Sequence, residues 1–208
     1  MENTKVDFDY IAENIFFPIY PVIADQIITK TKITSGNCLD IGCGGGHLGL
    51  FVAKQSKMNV TLFDKSKDAL ENAKNRISNW NLNENVSTLI GDVHEIPFGM
   101  NSFQLIVSRG SLWFWENPKK AFSEIYRVLS PDGYAYIGGG FGNELLRKEI
   151  YEKMKEIDDD WPNSRKKFTE GNTIEKFNDI LIDIGIKNFE ITDTEKGLWI
   201  IIKKEDQL

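Results

Sequence analysis

Leu39-Asp-Ile-Gly-Cys-Gly-Gly-Gly-His-Leu-Gly49 is the stretch on which the reading of this chain turns. Asn37 to Ile41 reads as a strand with Asp40 near its end. Gly42, Gly44 and Gly46 let the backbone turn tightly and come close to a ligand. A helix starting at His47 follows at once, with unpaired N–H groups aimed at the turn. Alternate glycines behind an acid predict a ligand cradle between the first strand and the first helix of an α/β sheet.

Outward from this turn the pattern alternates. Asn59 to Asp64, Val86 to Ile90, Phe103 to Val107 and Gly133 to Ile137 read as further strands. Helices are expected at His47 to Ser56, Lys67 to Trp80 and Asn117 to Leu129. The second carries Leu70, Ala73, Ile77 and Trp80 on one side, and the third turns Ala121, Ile125, Val128 and Leu129 inward. Strand–helix–strand units of this size imply a parallel sheet covered on both faces. Helices are also expected over Glu144 to Ile157 and Thr173 to Ile184, then strands over Lys187 to Thr192 and Leu198 to Lys203. Only Asp193 to Gly197 joins that last pair, too short for a parallel crossover, so they form an antiparallel hairpin. Ahead of the first strand, Ile11, Ile15, Ile19, Ile23 and Ile27 make a helical stripe. Pro18 and Pro21 interrupt it, giving two short helices or a kinked pair. The chain divides into an N-terminal helical lid segment (1–35), a ligand-binding core (36–141) and C-terminal helices with the hairpin (142–208), within one domain.

Composition narrows the function classes. The 208 residues are 41% hydrophobic and 27% charged, an ordinary globular mix. A net charge of −6 argues against a nucleic-acid binder, which shows a basic face; Arg165-Lys-Lys167 reads as a solvated loop. No stretch approaches the roughly 18 to 20 apolar residues that a membrane-spanning helix needs. The N-terminus has no signal-peptide core, so a cytoplasmic protein is expected. Cys38 and Cys43 make neither a disulfide scaffold nor a zinc site, and no metal is expected. The sequence assigns no oligomeric state.

Two readings of the glycine turn compete. Gly44-x-Gly46-x-x-Gly49 formally fits the dinucleotide fingerprint, but its first glycine comes two places late. Asp40 ahead of the turn would repel a pyrophosphate and suit a ligand bearing an ammonium group. Asp64 closes the second strand, placed to accept from two ribose hydroxyls, which either ligand would offer. Gly91-Asp92-Val-His94 follows the third strand, where Asp92 can accept from an adenine amino group while Val93 packs the ring. These acids gather at the carboxyl ends of adjacent strands, where open α/β sheets bind ligands.

Together these stretches resemble the class I S-adenosylmethionine-dependent methyltransferases of the small-molecule type. Asp40-x-Gly42-x-Gly44-x-Gly46, Asp64, Gly91-Asp92, Phe103 to Ser108 and Tyr126-Arg-Val-Leu-Ser-Pro-Asp-Gly133 carry the likeness, closely over residues 36 to 141. Gln104 departs from an Asp common there. The resemblance implies a Rossmann-like three-layer sandwich. Its seven-stranded, mostly parallel sheet has order 3-2-1-4-5-7-6 with strand 7 antiparallel. It also implies S-adenosyl-L-methionine as cofactor, with S-adenosyl-L-homocysteine as product. Cofactor contacts are expected from Asp40, Gly42, Cys43, Gly44, His47, Asp64, Lys65, Asp92, Val93, Ser108 and Arg109. His47 would lie near the methionine carboxylate.

The acceptor side carries weaker signals. Trp113, Phe114 and Trp115 after the fourth strand, with Tyr20 and Phe141, are candidate pocket walls, since aromatic faces stabilise a sulfonium. Gly138-Gly-Gly-Phe-Gly142 reads as a flexible connection or as backbone passing close to a ligand. Tyr10 and Tyr20 would cover the cofactor. Tyr10, Arg109 and His94 are the candidate catalytic groups, and Arg109 would bind an acidic acceptor or the cofactor carboxylate, or pair with Glu116. The function expected is methyl transfer to a small molecule. The alternatives are an RNA or protein methyltransferase, a non-catalytic S-adenosylmethionine-binding module and, less favoured, an NAD-linked oxidoreductase.

Overall fold

The computed structural model describes residues 7–194 and 197–206, apart from the side chains of Pro162, Arg165, Lys167 and Phe168. Seven strands form one sheet: β1 (Ser35–Ile41), β2 (Lys57–Asp64), β3 (Val86–Ile90), β4 (Phe103–Arg109), β5 (Leu129–Gly140), β6 (Phe189–Thr194) and β7 (Gly197–Lys203). Their order is β3-β2-β1-β4-β5-β7-β6. The first five run parallel, and β7 lies antiparallel between β5 and β6. This is the order the resemblance implies. The helices are α1 (Phe8–Ile11), α2 (Ile19–Thr31), α3 (His47–Gln55), α4 (Lys67–Asn79), α5 (Pro118–Val128), α6 (Glu144–Lys155), α7 (Trp161–Thr169) and α8 (Ile174–Asp183).

Alternation along the strands builds a core on each face of the sheet. Cys38, Val60, Leu105 and Val107 face α2, α3, α4 and α6. Leu39, Ile106, Ala135 and Ile137 face α5 and α8. On that second face Phe122 of α5 is fully buried. It meets Trp115 edge-on at 5.5 Å and Phe177 of α8 at 6.2 Å.

Three local expectations need correction. The N-terminal helices break at Phe17-Pro18, with an 80° bend, and Pro21 interrupts nothing. Pro21 sits in the first turn of α2, where backbone N–H groups lack helical partners anyway. Between α1 and the bend, Ala12–Phe16 forms a π-helical turn. The glycines after Ile137 are not a flexible connection. β5 continues through Gly138-Gly-Gly140, paired with Trp199, Leu198 and Gly197. Gly197, at φ 118°, lies so close to the Gly139 carbonyl that any side chain would strike backbone. Arg165-Lys-Lys167 lies on α7 instead of a loop, and Lys166 is exposed there. Among the described residues no single helix is long and apolar enough to cross a membrane.

Phe122→Ala would leave a cavity between α5 and α8, at a cost of about 3–5 kcal/mol. The denaturation midpoint in urea should fall with the slope unchanged. An unchanged midpoint would mean that this layer does not stabilise the fold.

Candidate active site

The carboxyl ends of β1 to β5 open into a cavity of about 1140 Å³. The glycine turn forms its floor. Gly42 and Cys43 donate to the Phe63 carbonyl at 2.8 and 3.2 Å, binding the turn to the end of β2. Gly44, at φ 53°, has nothing within 4 Å of where a side chain would start. Its N–H donates to Asp64 Oδ2 at 2.8 Å, while Asp64 Oδ1 accepts from Ser66 at 2.8 Å. An ionised carboxylate has about four acceptor positions, so capacity remains on each oxygen.

Asp40 is not on the cavity wall. It lies under the turn, 1% exposed, with Oδ2 accepting from the Gly49 N–H at 2.8 Å. The cause is local: α3 is capped by Gly46, which has no side chain to satisfy the first-turn donors, and Asp40 satisfies one from the neighbouring strand. Burial pushes its carboxyl up to about 7, against the lowering effect of the Gly49 N–H. Ser108 is also off the wall and fully buried. Its hydroxyl meets Ser111 Oγ at 2.6 Å. Ser111 donates to the Ile41 carbonyl at 3.2 Å and accepts from Trp115 Nε1 at 3.2 Å. Ser111 thus ties β4 to the end of β1, and its side chain fills the space that any side chain at Gly42 would need. The sequence reading missed Ser111, because nothing separates it from other loop serines.

The structure places the remaining expected residues, Gly42, Cys43, Gly44, His47, Asp64, Lys65, Asp92, Val93 and Arg109, on the cavity wall, and Tyr10, Tyr20, His94, Trp113, Trp115 and Phe141 join them. Several are committed in ways the sequence did not indicate. His94 Nε2 accepts from the Asn117 N–H at 3.1 Å while Nδ1 meets Asp92 Oδ1. Both ring nitrogens therefore have partners in this structure. The His94 N–H also holds the Asp92 carboxyl below its usual range. His47 is buried, and burial holds its imidazole below its ordinary pKa. Its Nε2 meets Glu13 at 2.8 Å, and its ring stacks on Tyr20 at 5.0 Å.

Arg109, at the end of β4, lies over Phe16 at 4.5 Å and Tyr20 at 5.5 Å, and its Nε donates to the Gly140 carbonyl at 3.2 Å. Phe141 stacks on Phe16 at 6.0 Å. This end of the cavity is an aromatic chamber with a cation on its wall, closed outward by Met154, Ile157 and Trp161. The wall acids are Asp7, Asp9, Asp64, Asp92, Glu116 and Asp158, facing Lys65 and Arg109.

Arg76 of α4 was also missed. It grips Asp9 with two bonds of 2.8 and 2.9 Å and Glu13 with one of 2.7 Å, and reaches the Gly45 carbonyl at 3.2 Å. Its signal was present: it stands three residues past Ala73 and beside Ile77, in an inward stripe where an arginine needs partners.

Fold and cavity define a Rossmann-like domain in which a glycine turn and strand-end acids open beside an aromatic chamber. A family model described as a methyltransferase domain matches residues 39–137. A solved Methanococcus maripaludis structure, assigned as an S-adenosyl-L-methionine-dependent methyltransferase, superposes with a TM-score of 0.91 at 45% identity. That match covers 96% of this chain and 91% of that one. The ubiquinone/menaquinone biosynthesis C-methyltransferase of Rickettsia prowazekii is 28% identical over 131 residues, 61% of this chain and 53% of that protein. A rice chloroplastic 2-methyl-6-phytyl-1,4-hydroquinone methyltransferase is 35% identical over 102 residues, 49% of this chain and 30% of that protein. The chain spans about half the length of the Rickettsia relative and under a third of the rice one. The chain belongs to the class I S-adenosylmethionine-dependent methyltransferases.

Asp40 gives a testable pH signature. An acid whose folded-state pKa is raised from 3.8 to about 7 binds its proton more tightly when folded. Its contribution to stability is therefore full below the unfolded value and lost as pH rises through the folded one. Asp40→Asn keeps an oxygen for Gly49 and cannot ionise. Melting temperatures between about pH 4 and 7.5 should show a flatter slope in the variant. Parallel curves would refute a buried ionisable Asp40.

Proposed function

We propose that this chain, acting as a single domain, transfers the methyl group of S-adenosylmethionine to a small-molecule acceptor by in-line displacement. The observation that carries the proposal is one continuous cavity joining the glycine turn, Asp64 and Asp92 to the aromatic chamber of Phe16, Tyr20, Trp113 and Phe141. When bound, the cofactor supplies an activated methyl group on a sulfonium leaving group. Asp64 would accept from the ribose hydroxyls with the lone pairs not taken by Gly44 and Ser66. Asp92 and Val93 would hold the adenine, and Gly42 to Gly44 would present backbone to the methionine end. The acid-rich wall suits a ligand bearing ammonium and sulfonium charges and disfavours a polyanion such as nucleic acid.

The chain's part in the reaction is alignment and exclusion of water. Phe16, Tyr20, Trp113 and Phe141 supply apolar walls and π-faces for the cationic centre. With His47 held by Glu13 and both His94 nitrogens engaged, neither histidine is poised as a base. That fits an acceptor arriving as a ready nucleophile. The Rickettsia and rice relatives are named for quinone and hydroquinone chemistry. Here the acceptor walls combine Arg109 and Trp113 with Phe16, Tyr20 and residues from 139 to 169, which lie outside the stretch that the family model matches. The acceptor is therefore read from the chamber walls, as a small and largely apolar molecule. Two free thiols, Cys38 and Cys43, suit the reducing cytosol.

Calorimetry should show binding of S-adenosylhomocysteine and none of NADH; NADH binding alone would overturn the proposal. Asp64→Ala should weaken S-adenosylhomocysteine about 10- to 100-fold, as expected for losing hydrogen bonds to a charged acceptor. An unchanged affinity would remove Asp64 from the ribose. Label from methyl-labelled cofactor in a cell extract should enter the small-molecule fraction, and label in protein or RNA would refute the small acceptor.

A further inference from the structure

We infer that Arg76 is a positioning residue that latches the N-terminal roof of the cavity onto the glycine turn, so that ligand exchange requires its release. The inference rests on the methyltransferase reading only for the identity of the ligand exchanged. Asp7, Phe8, Asp9, Tyr10, Ile11 and Ala12 roof the cavity. Helix α1 within this roof buries no residue, and Phe8 and Tyr10 are 61% and 55% exposed. Apolar contact at the tip is limited to Phe8 edge-on to Phe114 at 6.0 Å and to half-buried Ile11 and Ala12 against the core. The next turn differs: Ile15 and Phe16 are buried, anchoring the base of the roof in the core. The π-helical turn at Ala12–Phe16 carries this anchor and joins it to the tip, a geometry frequent at functional sites.

What ties the tip to the glycine turn by hydrogen bonds is Arg76, which is not on the cavity wall. Its planar fork matches the Asp9 carboxylate with two bonds, its Nε takes Glu13, and Nη1 reaches the Gly45 carbonyl in the turn below. Glu13 Oε2 also meets His47, the first residue of α3. Burial pushes the Glu13 carboxyl up, but bonds from His47 and Arg76 outweigh it and hold it below its usual range. The Arg76 side chain is 14% exposed and Asp9 28%, whereas the ordinary surface pair Lys74–Glu71 is 53% and 54% exposed. Exposed pairs contribute little; a shielded, bidentate pair shared among three elements contributes more. Roof, turn and α4 thus meet on one guanidinium.

The test uses the full chain with Arg76→Gln, Arg76→Lys and Asp9→Asn, and Glu71→Gln as control. Backbone hydrogen exchange of residues 7–13 is measured without ligand, and S-adenosylhomocysteine dissociation by stopped flow. In Arg76→Gln, exchange should accelerate tenfold or more and dissociation should quicken by a similar factor. Asp9→Asn should shift both in the same direction. Arg76→Lys should rescue only partly, because a point charge cannot make the bidentate contact. Glu71→Gln should change neither. Exchange and dissociation within twofold of the parent in both Arg76→Gln and Asp9→Asn would overturn the latch. Weakened binding with unchanged exchange would also overturn it, leaving Arg76 as a support of the turn alone. If the parent chain does not bind S-adenosylhomocysteine, the methyltransferase reading fails while exchange still decides the latch.

Discussion

A carboxylate sealed beneath the glycine turn sets the geometry of the cavity. Asp40 leaves β1 pointing under the first turn of α3 and takes the Gly49 N–H. A buried acid is costly, and a single hydrogen bond does not restore its ordinary pKa. It is retained where Gly46 needs a left-handed backbone at φ 85° and cannot itself cap the helix. With strand and helix tied at this point, the intervening residues can only arc outward. Cys43 and Gly42 then close on β2 through Phe63, and Gly44 reaches Asp64. One constraint thereby orients the turn and sets the distance from β1 to the acid on β2.

The elements most legible in the sequence were those with a strong period or a strong turn. The strand at Val86–Ile90 and the helix starts at His47 and Lys67 fall where the pattern puts them, because alternation and amphipathic spacing report burial directly. Pro21 misled because proline is read as a breaker, and its tolerance depends on which helical turn it occupies. Gly138 to Gly140 left two readings open, a flexible connection or backbone close to a ligand, and of these the flexible one fails while Gly139 and Gly140 do line the cavity. Glycine signals looseness by propensity, yet here it admits β7 at close range, a non-local requirement invisible in a single strand. The wall acids Asp64 and Asp92 were legible because each ends a strand. Asp40 was legible as part of the turn, but its direction was not: alternation along β1 would have turned it from the side Leu39 and Ile41 face, and the motif invited the opposite inference.

The cavity has two halves of different origin. The half at the ends of β1, β2 and β3 comes from the stretch that the family model matches. Its parts are short-range: a turn, the residue closing a strand, the loop after it. The other half is assembled from the N-terminal segment, β4 and β5, and helices α6 and α7. Those elements meet only in three dimensions, and their aromatic residues have no spacing rule that marks them as a chamber. Sequence reasoning therefore reached the cofactor with more detail than the acceptor.

The two halves are joined through the N-terminal segment. Arg109 lies over Phe16 and Tyr20, Tyr20 stacks on His47, His47 bonds Glu13, and Glu13 shares Arg76 with Asp9. Each link is short, and together they run from the acceptor chamber across the glycine turn to α4. Phe16 belongs to the π-helical turn directly after the roof over the cofactor half. Phe16 is also the buried anchor of that roof, so the ring against which the Arg109 guanidinium rests belongs to the fixed core. One short stretch of chain thus supplies both the roof and two aromatic walls of the cavity.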